Sequence, residues 1–281
     1  LTRIIAYYNP LNRGVEVLNT LNAIIYFIKD FFINNSPNII ISRNLFGAFI
    51  FNFFYKSKVV YEFHAPENGI RKILQRILLN SKRMRSITIS ESLKKIIIKR
   101  YDLKFYDNIH VVHDAAKDIF LEKNNQLFKK QKSKNILTTQ RNVNFKIGYF
   151  GHLYDGRGLN LIRKIALLRK DCNFFIYGGN ESDINREFKK NSPNNFHIMG
   201  YVSHDQVGEY MKQMDILLMP YEKKVSVGIK NSDTSQWMSP LKLFEYMSSK
   251  TPIISSDLPV LREIIKNKVN ALLVDPTNAY A

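Results

Sequence analysis

Ser239, Pro240, Leu241, Lys242 and Glu245 stand close together in this 281-residue chain, where a Ser-Pro turn leads into an apolar-periodic run and then a strand-like stretch, 252–255. The pattern predicts a helix over 241–248 that begins just after Pro240. The first N–H groups of a helix lack intrahelical partners, and its dipole leaves partial positive charge there. Such an end suits an anion, for instance a diphosphate. One turn further in, the Glu245 carboxylate can accept hydrogen bonds from two vicinal hydroxyls, as on a ribose. Lys242 either adds a cation beside the phosphates or points to solvent. Together these residues describe a cradle for a sugar nucleotide.

A second group lies in the loop 151–158, between a predicted strand at 146–150 and a predicted helix at 158–168. Gly151 permits a tight turn, and Arg157 can set its guanidinium on a diphosphate. Alone this is a weak motif, because any strand-to-helix loop can hold Gly and Arg. His64 ends the predicted strand 58–63 beside Ala65-Pro66. It is either a side chain entering a cleft or a neutral core histidine bonded to backbone. Glu62 is expected to point the opposite way, while His113 and Asp114 fall at the junction between domains. The six histidines have no metal-ligand spacing and no Asp-x-Asp tripeptide occurs, so no metal is expected. The absence of Gly-x-Ser-x-Gly argues against an α/β-hydrolase.

These residues need elements to position them, and the chain alternates strand-like and helix-like segments, which predicts parallel sheets wound by crossover helices. Strands are read at 38–42, 58–63, 86–90 and 108–112, then at 146–150, 173–178, 196–199, 216–219, 252–255 and 271–274. Helices are read at 158–168, 181–190, 204–213, 241–248 and 259–266. The polar segment 121–145 reads as a linker, dividing an α/β domain at 1–120 from a second at 146–281. In such folds ligands bind at the carboxyl ends of the strands. Residues 221–237 form a long loop, of a size often functional. The apolar runs 21–33 and 45–55 are too short to span a bilayer, which takes roughly 20 residues, and read as buried helices. The single cysteine, Cys172, excludes an internal disulfide framework and reads as a core-edge thiol.

The net charge of +18 is concentrated. Between Arg71 and Lys104 eleven basic residues face only Glu91 and Asp102. Within that span Ile70, Ile73, Leu74, Ile77 and Leu78 form a helical apolar stripe flanked by cations, which either lies on an anionic membrane surface or packs on the sheet. No nucleic-acid fold motif accompanies the charge, so no nucleic-acid partner is expected.

The segment SPLKLFEYM (239–247) with PIISSDLPVLRE (252–263) resembles the signature of the family 4 glycosyltransferases, the group 1 retaining enzymes of GT-B fold. KIGYFGHLYDGRGLNLI (146–162), FFIYGG, FHIMGYV and YMKQMDILLMPY follow in the family's order, and VVYEFHAP, ITISE and IHVVHD precede them. The resemblance implies two Rossmann-like domains whose parallel sheets face a cleft. It also implies transfer of a sugar, with retention, from a UDP- or GDP-sugar to a glycan or lipid-linked acceptor in cell-surface polysaccharide or glycoconjugate synthesis. Neither cofactor nor metal is implied. Its alternatives are a non-catalytic glycosyltransferase-like binding subunit and a nucleotide-sugar epimerase.

By the same resemblance Glu245 corresponds to the second glutamate of the paired-glutamate motif, and the first is replaced by Trp237, which either stacks on a sugar or plugs the loop. His152 stands where the family has Arg or Ser, and Arg157 where it has Lys. Ser239 and the N–H groups after Pro240 would face phosphate, Gly200-Tyr201 would flank the base, and His64 would reach the donor sugar as a catalytic residue. The chain opens on Leu1 without the family's first strands and stops soon after Pro276, so a fragment of a cytoplasmic enzyme, peripheral on the inner membrane face, is expected.

Overall fold

A computed structural model of the chain describes residues 25, 39–54, 58–103, 106–117, 144–188, 190–228 and 232–280. The expected linker lies almost wholly outside them, as does most of the apolar run 21–33. The chain divides into two compact units, Leu1–His113 and Asp114–Ala281.

The first unit runs β1 (Ile39–Ser42), α1 (Leu45–Phe54), β2 (Lys58–Phe63), α2 (Gly69–Leu79), β3 (Met84–Thr88), α3 (Glu91–Tyr101) and β4 (Ile109–Val111). Its four strands pair in parallel in chain order. Alternation along β2 sends Val59, Tyr61 and Phe63 into the core, where they are almost wholly buried. β3 starts and ends two residues before the sequence suggested. Ser90 is instead the N-cap of α3, its hydroxyl accepting the Leu93 N–H at 3.0 Å, a role that takes it out of the strand.

The apolar stripe of α2 splits in two. Leu78 is buried and Leu74 half-buried, while Ile70, Ile73 and Ile77 face solvent. A more polar face turns inward: Gln75 is wholly buried and accepts hydrogen bonds from the Tyr101 hydroxyl and the Glu67 N–H. Arg71, one turn back, pairs with Glu67 at 2.7 Å and lies 5.3 Å over the Phe46 ring.

The second unit contains β5 (Phe145–Phe150), α4 (Leu159–Leu168), β6 (Cys172–Tyr177), α5 (Glu181–Phe188), β7 (Phe196–Gly200), α6 (His204–Met211), β8 (Ile216–Met219), α7 (Leu241–Ser249), β9 (Ile253–Ser256) and β10 (Leu272–Val274). Its sheet is parallel, with order β10-β9-β8-β5-β6-β7. The chain builds outward from β5 to β7, then returns to the other side of β5 for β8 to β10. The reversal falls between β5 and β8, the switch point at which a doubly wound sheet opens a ligand crevice. Separate apolar cores line the two faces: Tyr149 and Ile162 belong to one, Phe150, Leu243 and Tyr246 to the other. Cys172 is buried at the start of β6. The helix expected at 259–266 is a single 3-10 turn, Leu261–Glu263. Among the described residues no helix is long and apolar enough to cross a membrane.

Candidate functional site

Gly151 leaves the carboxyl end of β5, and Pro220-Tyr221 leave that of β8. α7 is fastened to the same point by Tyr246. Its buried hydroxyl accepts the Phe150 N–H at 2.8 Å, and its proton faces the Leu218 and Phe150 carbonyls at 3.3 and 3.4 Å. Lys242 lies one turn earlier on the same helical face, so the clasp that holds Tyr246 also aims the lysine at Gly151. Tyr246→Phe would leave the Phe150 N–H short of an acceptor in a dry core. A stability loss of about 1–3 kcal/mol is expected, read as a lower midpoint in denaturant at unchanged slope.

Lys242 is not a solvent cation. It is buried, and a Cβ added to Gly151 would come within 2.6 Å of its Cε and Nζ, so the lysine occupies space that only a glycine leaves open. Its Nζ lies 3.8 Å from the Tyr149 ring centroid and 5.4 Å from that of Tyr221, with no hydrogen-bond acceptor. Burial, reinforced by the Arg157 charge and only partly offset by Glu245, holds its pKa well below the ordinary lysine value. Arg157 donates to the Tyr221 hydroxyl at 2.9 Å, and its guanidinium carbon lies 5.0 Å from that ring. The Arg157 Nε, like the lysine Nζ, is buried without a partner. Two cations with spare donors therefore converge at the switch point on an aromatic floor of Tyr149 and Tyr221.

His152 stacks on Tyr154, ring centroids 4.7 Å apart. Desolvation first, then the Arg157 and Lys242 charges, lower its pKa, so the imidazole is neutral at pH 7. The Tyr149 hydroxyl donates to the His152 carbonyl at 2.7 Å. Gly158 opens α4 at φ +82°, and a Cβ there would lie 1.8 Å from the Pro220 oxygen. The loop is further tied to the segment after β8 by the Glu222 N–H to Gly156 C=O and Ser226 N–H to Asp155 C=O bonds, 2.9 and 3.1 Å.

Glu245 stands half-buried on α7, its carboxylate 3.7 Å from Nδ1 of the exposed His204. Pro240 is the N-cap of α7 and Leu241 its first, exposed residue. The Ser239 hydroxyl accepts the Asp114 N–H at 3.2 Å. Trp237 is half-buried in a turn closed by its N–H on Thr234 C=O, 3.0 Å. The structure thus gathers Gly151, His152, Arg157, Gly158, Lys242 and Glu245 around one switch point. Tyr201, strongly exposed just beyond β7, lies on the far side of β6.

In the first unit His64 follows β2, and the expectation for Glu62 is corrected. Residues two apart share a strand face, and Glu62 Oε1 lies 2.7 Å from His64 Nε2. Arg43, just past β1, reaches the same imidazole at 2.8 and 3.0 Å. His113 donates through Nδ1 to the Ile89 carbonyl at 3.0 Å. Sequence reasoning passed over Tyr149, Tyr221, Arg43 and His204. Tyr221 carried a usable signal, since it stands two residues past the end of a strand read correctly at 216–219.

Comparison with known structures decides the fold. A glycosyltransferase from Rickettsia africae ESF-5 superposes with a TM-score of 0.65 over 98% of this chain and 71% of its own, at 18% identity. HepE of Anabaena, crystallised with UDP, superposes with a TM-score of 0.57 over 95% of this chain and 69% of its own, at 15% identity. The fold is GT-B. Within this GT-B chain, residues 144–281 match the family described as glycosyl transferases group 1. A curated relative, the putative teichuronic acid biosynthesis glycosyltransferase TuaH of Bacillus subtilis strain 168, is 25% identical over 206 residues, 69% of this chain. The chain spans about half the length of that relative, 48%.

Proposed function

We propose that the chain belongs to a glycosyltransferase that moves a sugar from a nucleotide diphosphate donor to a glycan or lipid-linked acceptor in cell-surface polysaccharide synthesis. The observation that carries this reading is a pair of cationic side chains with spare donors, buried Lys242 with its unpartnered Nζ and half-buried Arg157 with its unpartnered Nε, beside the N-terminus of α7 at the switch point. A diphosphate would supply the acceptors both side chains lack. Glu245, one turn along α7, is then spaced to take the ribose hydroxyls, and exposed Tyr201 offers a face for the base. The group 1 match over residues 144–281 and the UDP and UDP-glucose complexes of HepE support the same donor chemistry.

In this reading the anomeric configuration is retained. The leaving diphosphate departs on the face from which the acceptor hydroxyl arrives, and its charge is met by Arg157, Lys242 and the helix end rather than by a metal. Catalysis then rests on positioning and on electrostatic stabilisation fixed before the reaction. His64 of the first unit, oriented by Glu62 and Arg43, is the candidate catalytic side chain in this reading. The enzyme acts from the cytoplasmic side of the membrane.

Thermal melts with UDP, GDP, ADP and CMP test the reading, with Glu245→Ala alongside. One nucleotide is expected to stabilise the wild-type chain by about 2.7 kcal/mol at a hundredfold excess over Kd, and the mutant to lose the shift. A folded sample that responds to none of the four would overturn the proposal.

A further inference from the structure

α2 is amphipathic in the unexpected sense. Its inward face is fixed by polar and charged side chains, with Gln75 held by Tyr101 and Glu67, and Arg71 held by Glu67 and Phe46. That orientation turns Ile70, Ile73 and Ile77 outward, 75%, 60% and 40% exposed. At three- and four-residue spacing they form one ridge on the helix. Lys72 and Arg76, also exposed, fall beside it. Lys82, Arg83 and Arg85 follow, all exposed, and no acidic residue occurs between Glu67 and Glu91.

We propose that this face of α2 docks the protein on an anionic lipid bilayer. The ridge would enter the boundary between headgroups and acyl chains, and the cations would meet the headgroups. Charge chooses this occupant over a second copy of the chain, since two such faces would bring only cations together. It also chooses lipid over nucleic acid, for which three isoleucines at the centre of the patch would be out of place, with no aromatic side chain among them to stack on a base. The surface belongs to the first unit and does not depend on the donor-site reading.

Co-sedimentation with vesicles tests it, using equal parts phosphatidylcholine and phosphatidylglycerol against phosphatidylcholine alone. Wild-type protein is expected to sediment with the anionic vesicles and to stay in solution with the neutral ones. Lys72→Gln with Arg76→Gln should weaken partition by about thirtyfold, each cation near an anionic surface contributing about fivefold. Ile70→Gln, Ile73→Gln and Ile77→Gln together should abolish it at unchanged net charge. All three sites are exposed, so these variants should keep the wild-type circular dichroism and melting temperature. Equal binding to both vesicle types, wild-type binding by both folded variants, or no vesicle binding with a dimer that the isoleucine variant dissolves would each overturn the proposal.

Discussion

Lys242→Met is expected to raise the melting temperature of the free protein while weakening nucleotide binding by about ten- to a hundredfold. The ammonium is buried, without an acceptor, against Gly151 and over the Tyr149 ring. Burial, with Arg157 acting in the same direction, depresses its pKa far below that of a lysine in the unfolded chain. Between the folded and unfolded pKa values the unfolded chain binds the extra proton, so stability rises with pH across that window. Below the folded pKa the buried charge weighs on the native state in full. Methionine fills similar volume without charge and should remove both the cost and this part of the pH slope.

In the proposed diphosphate complex the same substitution would take away a hydrogen bond between charged groups, worth about 1.5–3 kcal/mol. Melts between about pH 7 and pH 10, with and without the stabilising nucleotide, measure both effects. A less stable mutant that keeps its nucleotide shift would remove Lys242 from the site. Such an opposition between stability and binding is what the proposed diphosphate site would entail, since the buried amine lacks an acceptor that a ligand would supply.

Gly158→Ala should cause the largest stability loss, about 3–5 kcal/mol, with a fall in melting temperature on the order of 10 °C for the second unit. Two costs coincide there. The backbone sits at φ +82°, where an L side chain is strained, and the new methyl would press within 1.8 Å of the Pro220 carbonyl oxygen. That oxygen belongs to the segment leaving β8, so relief requires the glycine loop and the switch point to part. Arg157 and Tyr221 ride on those two segments, and nucleotide binding should fall with stability. A mutant that melts within about 1 °C of wild type would mean the loop can move aside freely, and that it is no rigid part of the site.

The strand and helix order was legible because each element has the hydrophobic period of its type. β8 was read at its observed bounds, and most other ends fell within two residues. The misreadings have local causes. Ser90 looked like a strand end until its hydroxyl was seen capping α3. The stretch 259–266 looked helical although its backbone closes only one 3-10 turn. Glu62 was set opposite His64 by a miscount of strand parity that the sequence alone should have prevented.

What the sequence determined by itself was the run of alternating elements, the glycine loop after β5 and the polar residues of 239–245, since each rests on neighbours a few positions apart. The tertiary structure decided what depends on contacts between distant segments. It placed Lys242 inside rather than in solvent, because Tyr246 is bonded to β5 across 96 positions. It made Tyr149 and Tyr221 a floor, because the sheet reverses between β5 and β8. It turned the isoleucines of α2 outward, because Gln75 is claimed by Tyr101 from 26 positions away. A periodic pattern shows that a helix has an apolar side, but which side is buried is settled by the polar groups that must find partners inside.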